Sequence, residues 1–272
     1  LSKLKEAREK LEESLAVFQE LSLQRYEGFA YMALGMIAYE YGQLRKAETF
    51  FKRSHMVLNT VDDSFGRARS IYQLGNVHYA SGRYQDALSH YRRSMEIHEN
   101  LGEHLGIADC LYSVGCTESI MAHFDKAKKA LVQSRNIYQD LGDKRGLSAV
   151  QIEMGLIATL EGRFWDAESY SEEALALRKE LGDPALIAEA TIHLAGAAYT
   201  LGNFNQVKRL ANTVWELRSE YQQPVLLGFT SALWGILHIA QGQLEEGVAN
   251  FEDAVDALTK TGYQRECMRI QG

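Results

Sequence analysis

Histidines, cysteines and paired carboxylates are the raw material of active centres and metal sites, and in this chain their spacing assembles neither. The eight histidines are scattered, and no histidine or cysteine group has the close-paired intervals of a zinc site. Cys110 and Cys116 stand six residues apart, which puts them on different faces of a helix, and Cys267 leaves the count odd. That is a pattern of reduced thiols and not of a disulfide framework. The acidic pairs Glu12-Glu13 and Glu172-Glu173 read as solvated helix faces, since paired carboxylates do acid–base work only inside a cleft. The glycines form no phosphate loop, no dinucleotide fingerprint and no nucleophile elbow. The expectation is therefore no catalytic residue, no metal, no cofactor and no enzyme activity.

The elements that hold these residues follow from composition and period. At 272 residues and 46% hydrophobic, with 24% charged, the chain can bury a sizeable core and is neither fibrous nor disordered. Twenty-nine basic against 36 acidic residues give a net charge of −7, which helps solubility and opposes general nucleic-acid binding. No run approaches the roughly 20 apolar residues that span a bilayer. The opening LSKLKEAREKLEESL is charged and amphipathic, unlike a signal peptide, so a cytoplasmic protein without membrane contact is expected.

The sequence repeats every forty residues. Gly35, Gly75, Gly115, Gly155, Ala195 and Gly235 share one position, and Gly42, Gly82, Ala122, Gly162, Gly202 and Gly242 share a second, seven residues on. Each of the second set is followed by Leu44, Tyr84, Phe124, Phe164, Phe204 or Leu244, then by Ala47, Ala87, Ala127, Ala167, Val207 or Gly247, and by positions such as Tyr91 and Ser94 at offsets of four and three. Those offsets trace one helical stripe. Each unit thus reads as two helices, A and B, with a turn at the second glycine. A glycine in mid-helix costs about 1 kcal/mol relative to alanine, so Gly75 predicts a close approach of helix B. Leu101-Gly102, Leu141-Gly142 and Leu181-Gly182 close helix B, and Asp63, Glu103, Asp143 and Asp183 stand where an N-cap begins the next helix A. Pro184 and Pro224 fall just after that cap, where the missing N–H costs nothing.

Leu74, Gly75, Gly82, Tyr84, Ala87, Tyr91 and Ser94 resemble the tetratricopeptide repeat pattern without a gap. The usual unit is ~34 residues, and the longer form here is similar to the repeats of bacterial STAND-class ATPases, maltose-regulator-like transcription activators and animal spindle-orientation scaffolds. The resemblance implies an all-α fold, a right-handed superhelix (α-solenoid) of antiparallel helix pairs. Full repeats are expected at 22–61, 62–101, 102–141, 142–181, 182–221 and 222–261, within a single array over 1–272. Residues 1–21 match a lone B helix and 262–272 the start of a further A helix, which reads as a fragment cut from a larger array.

By the same resemblance, helix A residues line an inner, concave groove. The candidate ligand contacts are Tyr39, Arg69, Tyr72, Asn76, Tyr79, Tyr112, Ile152 and Tyr199. Tyrosine offers a large apolar area and one hydrogen bond at small entropy cost, which suits a peptide or protein segment. Each aromatic could equally pack against the neighbouring helix. The two-carboxylate clamp of heat-shock co-chaperones is absent, because only Asn76 matches while Met32 and Tyr72 hold its lysine positions. Arg69 together with Asn76 could hold a carboxylate or phosphate, or could simply be solvated. The function expected is non-catalytic recognition of a protein or peptide by a sensor or scaffold fragment of a larger signalling or transcription-regulatory protein. The alternative is a small-molecule or pheromone sensor, for which a compact pocket with convergent polar groups would speak. Self-association is a further expectation at the apolar last repeat, around Phe229, Leu233, Trp234, Ile236 and Ile239.

Overall fold

Glycine at the A–B turn and an acidic cap at the B–A junction set the helix ends. In the computed structural model, which describes residues 2–217 and 224–259, every element is an α-helix. The expected A helix over 262–272, with Cys267, lies outside those residues. Contacts divide the chain into two compact units, Leu1–Ile137 and Tyr138–Gly272. The first holds α1 (Ser2–Glu20), α2 (Gln24–Glu40), α3 (Leu44–Thr60), α4 (Ser64–Ala80), α5 (Tyr84–Leu101), α6 (His104–Ile120) and most of α7 (Phe124–Leu141). The second holds α8 (Lys144–Leu160), α9 (Phe164–Leu181), α10 (Pro184–Thr200), α11 (Phe204–Leu217), α12 (Pro224–Ala240) and α13 (Leu244–Thr259).

The turns are chemically explicit. Gly82 takes φ 77°, its N–H bonds the Tyr79 carbonyl at 3.0 Å and the Arg83 N–H bonds that of His78 at 2.9 Å, so the left-handed residue satisfies carbonyls that the helix end would orphan. Ala122 makes the same turn at φ 59°, a conformation that costs an alanine about 1 kcal/mol or more. At the junctions Asp63 Oδ1 accepts from the Gly66 N–H at 2.8 Å, Glu103 Oε2 from Gly106 at 2.8 Å, and Asp143 Oδ1 from Arg145 and Gly146 at 3.0 and 3.1 Å. Asp183 caps α10, with Pro184 as its first residue.

Within the first unit the core runs between the A and B helices through Phe51, Leu58, Leu74 and Val77, with Met32 and Ala47. The small residues of the B stripe do more than leave room. Ser94 Oγ donates to the Ala68 carbonyl and Ser134 Oγ to that of Ala108, each at 2.8 Å, and the Oγ atoms of Ser54 and Ser70 lie 2.8 Å apart. Each of these buried hydroxyls is satisfied by the adjoining A helix, which avoids the 1–3 kcal/mol or so that an unpaired buried group costs.

In the second unit, Ala195, Ala198, Val207, Ala211, Leu233 and Leu237 form one core cluster and Ile152, Ala174, Leu175, Ala190 and Leu194 another. A charge is buried here. Arg178 is 4% exposed and donates from Nε to Ser148 Oγ at 3.2 Å, and from Nη1 to the Leu186 carbonyl at 2.9 Å and to Glu189 Oε2 at 2.8 Å. It ties α9 to α8 and α10. Arginine's fixed fork of donors makes such three-way bonding feasible.

Candidate functional site

Arg69, Tyr72, Asn76 and Tyr79 follow one another on α4 at helical intervals and so share a side of that helix. What shapes the site around them is Tyr91 of α5. The missing side chain of Gly75 lets its ring press onto α4, where an added Cβ would stand 2.5 Å from Tyr91 Cε1. The Tyr91 hydroxyl donates to Asn76 Oδ1 at 2.8 Å, and Asn76 Nδ2 donates to Gln73 Oε1 at 2.9 Å. The Tyr72 and Tyr91 rings lie 5.4 Å apart, and the Tyr72 hydroxyl shares a 2.8 Å hydrogen bond with Ser113 Oγ of α6. Burial raises the pKa of both phenols above the ordinary range, so they act as neutral donors and ring surfaces at any physiological pH. Tyr39, Tyr72, Tyr79 and Cys116 are all close enough to add to the shift of Tyr91. In the first unit the contacting pair Tyr72–Tyr91 thus has Tyr39 of α2, Tyr79 of α4 and Cys116 of α6 within its electrostatic reach.

The structure places the candidate residues unequally. Tyr39, Tyr72, Asn76 and Tyr79 come together, with Tyr112 half-buried on α6. Ile152 is not a groove residue: at 7% exposure it is packed with Leu175, Ala190 and Leu194, because its repeat register faces the next helix and isoleucine is too short to emerge. Met32 and Ala232, at the same register, are buried as well. Tyr199, in the second unit, is exposed and stands edge-on to Phe204 at 5.9 Å. Arg69 does not join Asn76. Its guanidinium lies over the Phe65 ring, 5.7 Å from the centroid and one turn back, whereas Asn76 is about 10 Å further along the axis. Among the described residues no carboxylate pairs with it. Tyr91 shapes the site without being one of the candidate contacts, and its signal in the sequence is the coupling of a mid-helix glycine to an aromatic residue sixteen positions later.

Cys110 is a buried thiol, its pKa pushed up to about 12 by desolvation, which removes it from nucleophilic or redox work. Among the described residues no group of three histidine, cysteine or carboxylate side chains could hold a metal ion, and no helix is long and apolar enough to cross a membrane. At the last repeat, Leu233 is buried in the core while Ile239, Leu244 and Val248 are exposed.

Residues 67–140 match the tetratricopeptide repeat family model. No curated protein matches the chain by sequence. Among solved structures, the apo form of RapI aligns with a TM-score of 0.74 at 14% identity, over 94% of this chain and 92% of that one. The Rap conjugation gene regulator of the plasmid pLS20, solved in complex with the Phr* peptide, aligns at 0.70 and 15%, over 92% of this chain and 78% of that one. BtubC from P. vanneervenii aligns at 0.67 and 17%, over 80% and 91%. At these identities the likeness is one of fold.

Proposed function

With residues 67–140 tetratricopeptide repeats and helix pairs of the same fold on either side of them, we propose that the chain is a non-catalytic module binding a protein or peptide segment on the tyrosine-lined face of its first unit. We place it as a sensor or scaffold within a larger cytoplasmic signalling or transcription-regulatory protein. The observation that carries the reading is the grouping of Tyr39, Tyr72 and Tyr79 with Asn76, backed from beneath by the buried ring of Tyr91. The Tyr72 ring and the Asn76 amide are held before any ligand arrives, by the Tyr72–Ser113 and Tyr91–Asn76 hydrogen bonds, so binding orders few of these side chains and loses little entropy. Aromatic surfaces with a hydroxyl at the edge can take both an apolar side chain and a backbone carbonyl or amide. The peptide complex of the pLS20 regulator supports a peptide over a small molecule, by likeness of fold.

The test is selection of binders from a random peptide display library on the whole chain, with dissociation constants measured by fluorescence anisotropy. Tyr79→Ala and Arg69→Ala, at the more accessible rim, should each weaken the selected peptides by ~10-fold or more if they border the site. Unchanged affinity in variants of undiminished helicity would place the ligand elsewhere and defeat the reading.

A further inference from the structure

A second feature of the first unit owes nothing to the tyrosine face. Arg67 and His78 lie eleven residues apart on α4 and Arg67 and Asn76 nine, so the first two share a side of the helix and Asn76 is opposite. On that far side α3 and α5 flank α4. The forty-residue period sets His90 level with Phe50 and Arg93 level with Arg53. Lys52 and His90 therefore form one rung across the two B helices, and His55 and Arg93 form the next, about one helical turn along.

The rungs carry two permanent cations, Lys52, which Glu48 already pairs, and Arg93, together with two imidazoles. His90 lies within the field of both Lys52 and Arg93, and His55 within that of Arg93 and Arg67. Glu48 pairs with Lys52 and Arg83 at 2.7 and 2.9 Å, and Asp86 lies 3.4 Å from His78 Nδ1 at the turn end of the groove. Arg67 donates to the neutral Asn59 Oδ1 at 2.9 Å. Among the described residues no carboxylate pairs with Arg93, although Glu96 and Glu99 follow it on α5. The Nδ1 atom of His55 is buried with no hydrogen-bond partner, which in a folded protein calls for an explanation. The His78 and His90 ring centroids lie 4.8 Å apart, the planes tilted at 45°.

We propose that the groove between α3 and α5 is a binding site for a phosphate-class oxyanion, held by Arg93 and His55 on one rung and Lys52 and His90 on the other. A tetrahedral dianion can accept from donors on two helices, matches the arginine fork, and supplies Arg93 with the negative partner it lacks. A single carboxylate has half the charge and one plane of lone pairs. The imidazoles are held largely neutral by burial and by the neighbouring cations. Arrival of an anion reverses the second of those causes, so binding favours the protonated form of both imidazoles.

The test uses the full chain at constant ionic strength, exchanging chloride for inorganic phosphate while the melting temperature is followed and affinity is measured by calorimetry. A short neutral peptide bearing one phosphoserine forms a second arm, and the same peptide with glutamate a third. Phosphate should raise the melting temperature where chloride does not. Arg93→Glu, on an exposed position, should weaken binding by ~10-fold or more, while Lys126→Glu on α7 should leave it unchanged. Stronger capture of the phosphopeptide than of free phosphate would mark a phosphorylated segment as the source of the oxyanion, and equal affinity a free phosphate compound. Phosphate no better than chloride, a glutamate peptide equal to the phosphopeptide, or an Arg93→Glu protein that binds as the parent does would overturn the assignment.

Discussion

Alanine is favoured over glycine in mid-helix by about 1 kcal/mol, so on propensity alone Gly75→Ala would stabilise α4. The packing reverses that sign. The added Cβ would lie 2.5 Å from Tyr91 Cε1 and 2.7 Å from Cδ1, where unstrained carbon pairs sit at about 3.5–4.0 Å. The ring must retreat by about 1 Å, a distance taken from that comparison. It has nowhere to go, being 2% exposed, bonded through its hydroxyl to Asn76 and backed by Tyr72. Overpacking of this kind costs about 1–3 kcal/mol, and loss of the Tyr91–Asn76 bond about 1 more. Net of the propensity gain, the change should destabilise by about 1–3 kcal/mol. Gly196 on α10 is the internal control, since a Cβ there meets nothing within 4 Å; Gly196→Ala should stabilise by about 0.5–1 kcal/mol. Thermal unfolding followed by circular dichroism reads both, at about 2–4 °C per kcal/mol for a chain of this size. Adding Tyr91→Leu to Gly75→Ala should cost less than the two single changes summed, because one removes the obstacle the other meets. A gain in stability from Gly75→Ala equal to that from Gly196→Ala would refute the close-packing argument.

Other consequences are as direct. Ala122→Gly, at φ 59°, should raise stability by about 0.5–1 kcal/mol in urea unfolding, unlike the same change in a helix interior. Arg178→Ala should cost about 2–3 kcal/mol, because it removes three hydrogen bonds and a buried stem at once. Glu189→Gln should cost about 1 kcal/mol, since Ser148 and the Leu186 carbonyl still hold the guanidinium. Burial lowers the pKa of His55, His78, His90 and His98 from 6.5, that of His90 to about 4 with the positive neighbours His78, Arg93 and Lys52 assisting. The unfolded chain therefore binds more protons than the folded one between about pH 6.5 and 4, and stability should fall as pH is lowered through that window. Melting temperatures measured from pH 7.5 to 4 should show the decline, and His90→Gln should flatten it.

The fold was legible because a period of forty repeats one environment six times, and any residue type required by that environment recurs with it. The glycine turns, the acidic caps and the helix bounds all follow from such recurrence. The groove was less legible, since register decides which way a side chain points while its length and neighbours decide whether it emerges. Tyr72 and Ile152 share a register, yet the phenol reaches past the packing to Ser113 and the isoleucine is covered. Arg69 and Asn76 are both polar and on one side of α4, but the Phe65 ring one turn back captures the guanidinium.

Departures from the repeat are where the chain carries information beyond its fold. Ala38, Ala158 and Ala198 occupy a buried position that in the intervening repeats holds His78 and Glu118. A polar group can replace alanine there only if the same repeat also supplies a partner. The second repeat brings Asp86 to His78, and Glu118, 3% exposed, accepts from Arg92 at 3.3 Å and bonds His123 Nδ1 at 2.7 Å. His123 stands where the other repeats place Gln43, Arg83, Arg163, Asn203 and Gln243, so Glu118 comes with a substitution that compensates it, whereas the partner of His78 recurs as Asp166 in a repeat that keeps Ala158. Among the described residues, Arg93 without a carboxylate and His55 Nδ1 without a hydrogen-bond partner are what such a set leaves over, and they are two of the groups that the proposed oxyanion would engage.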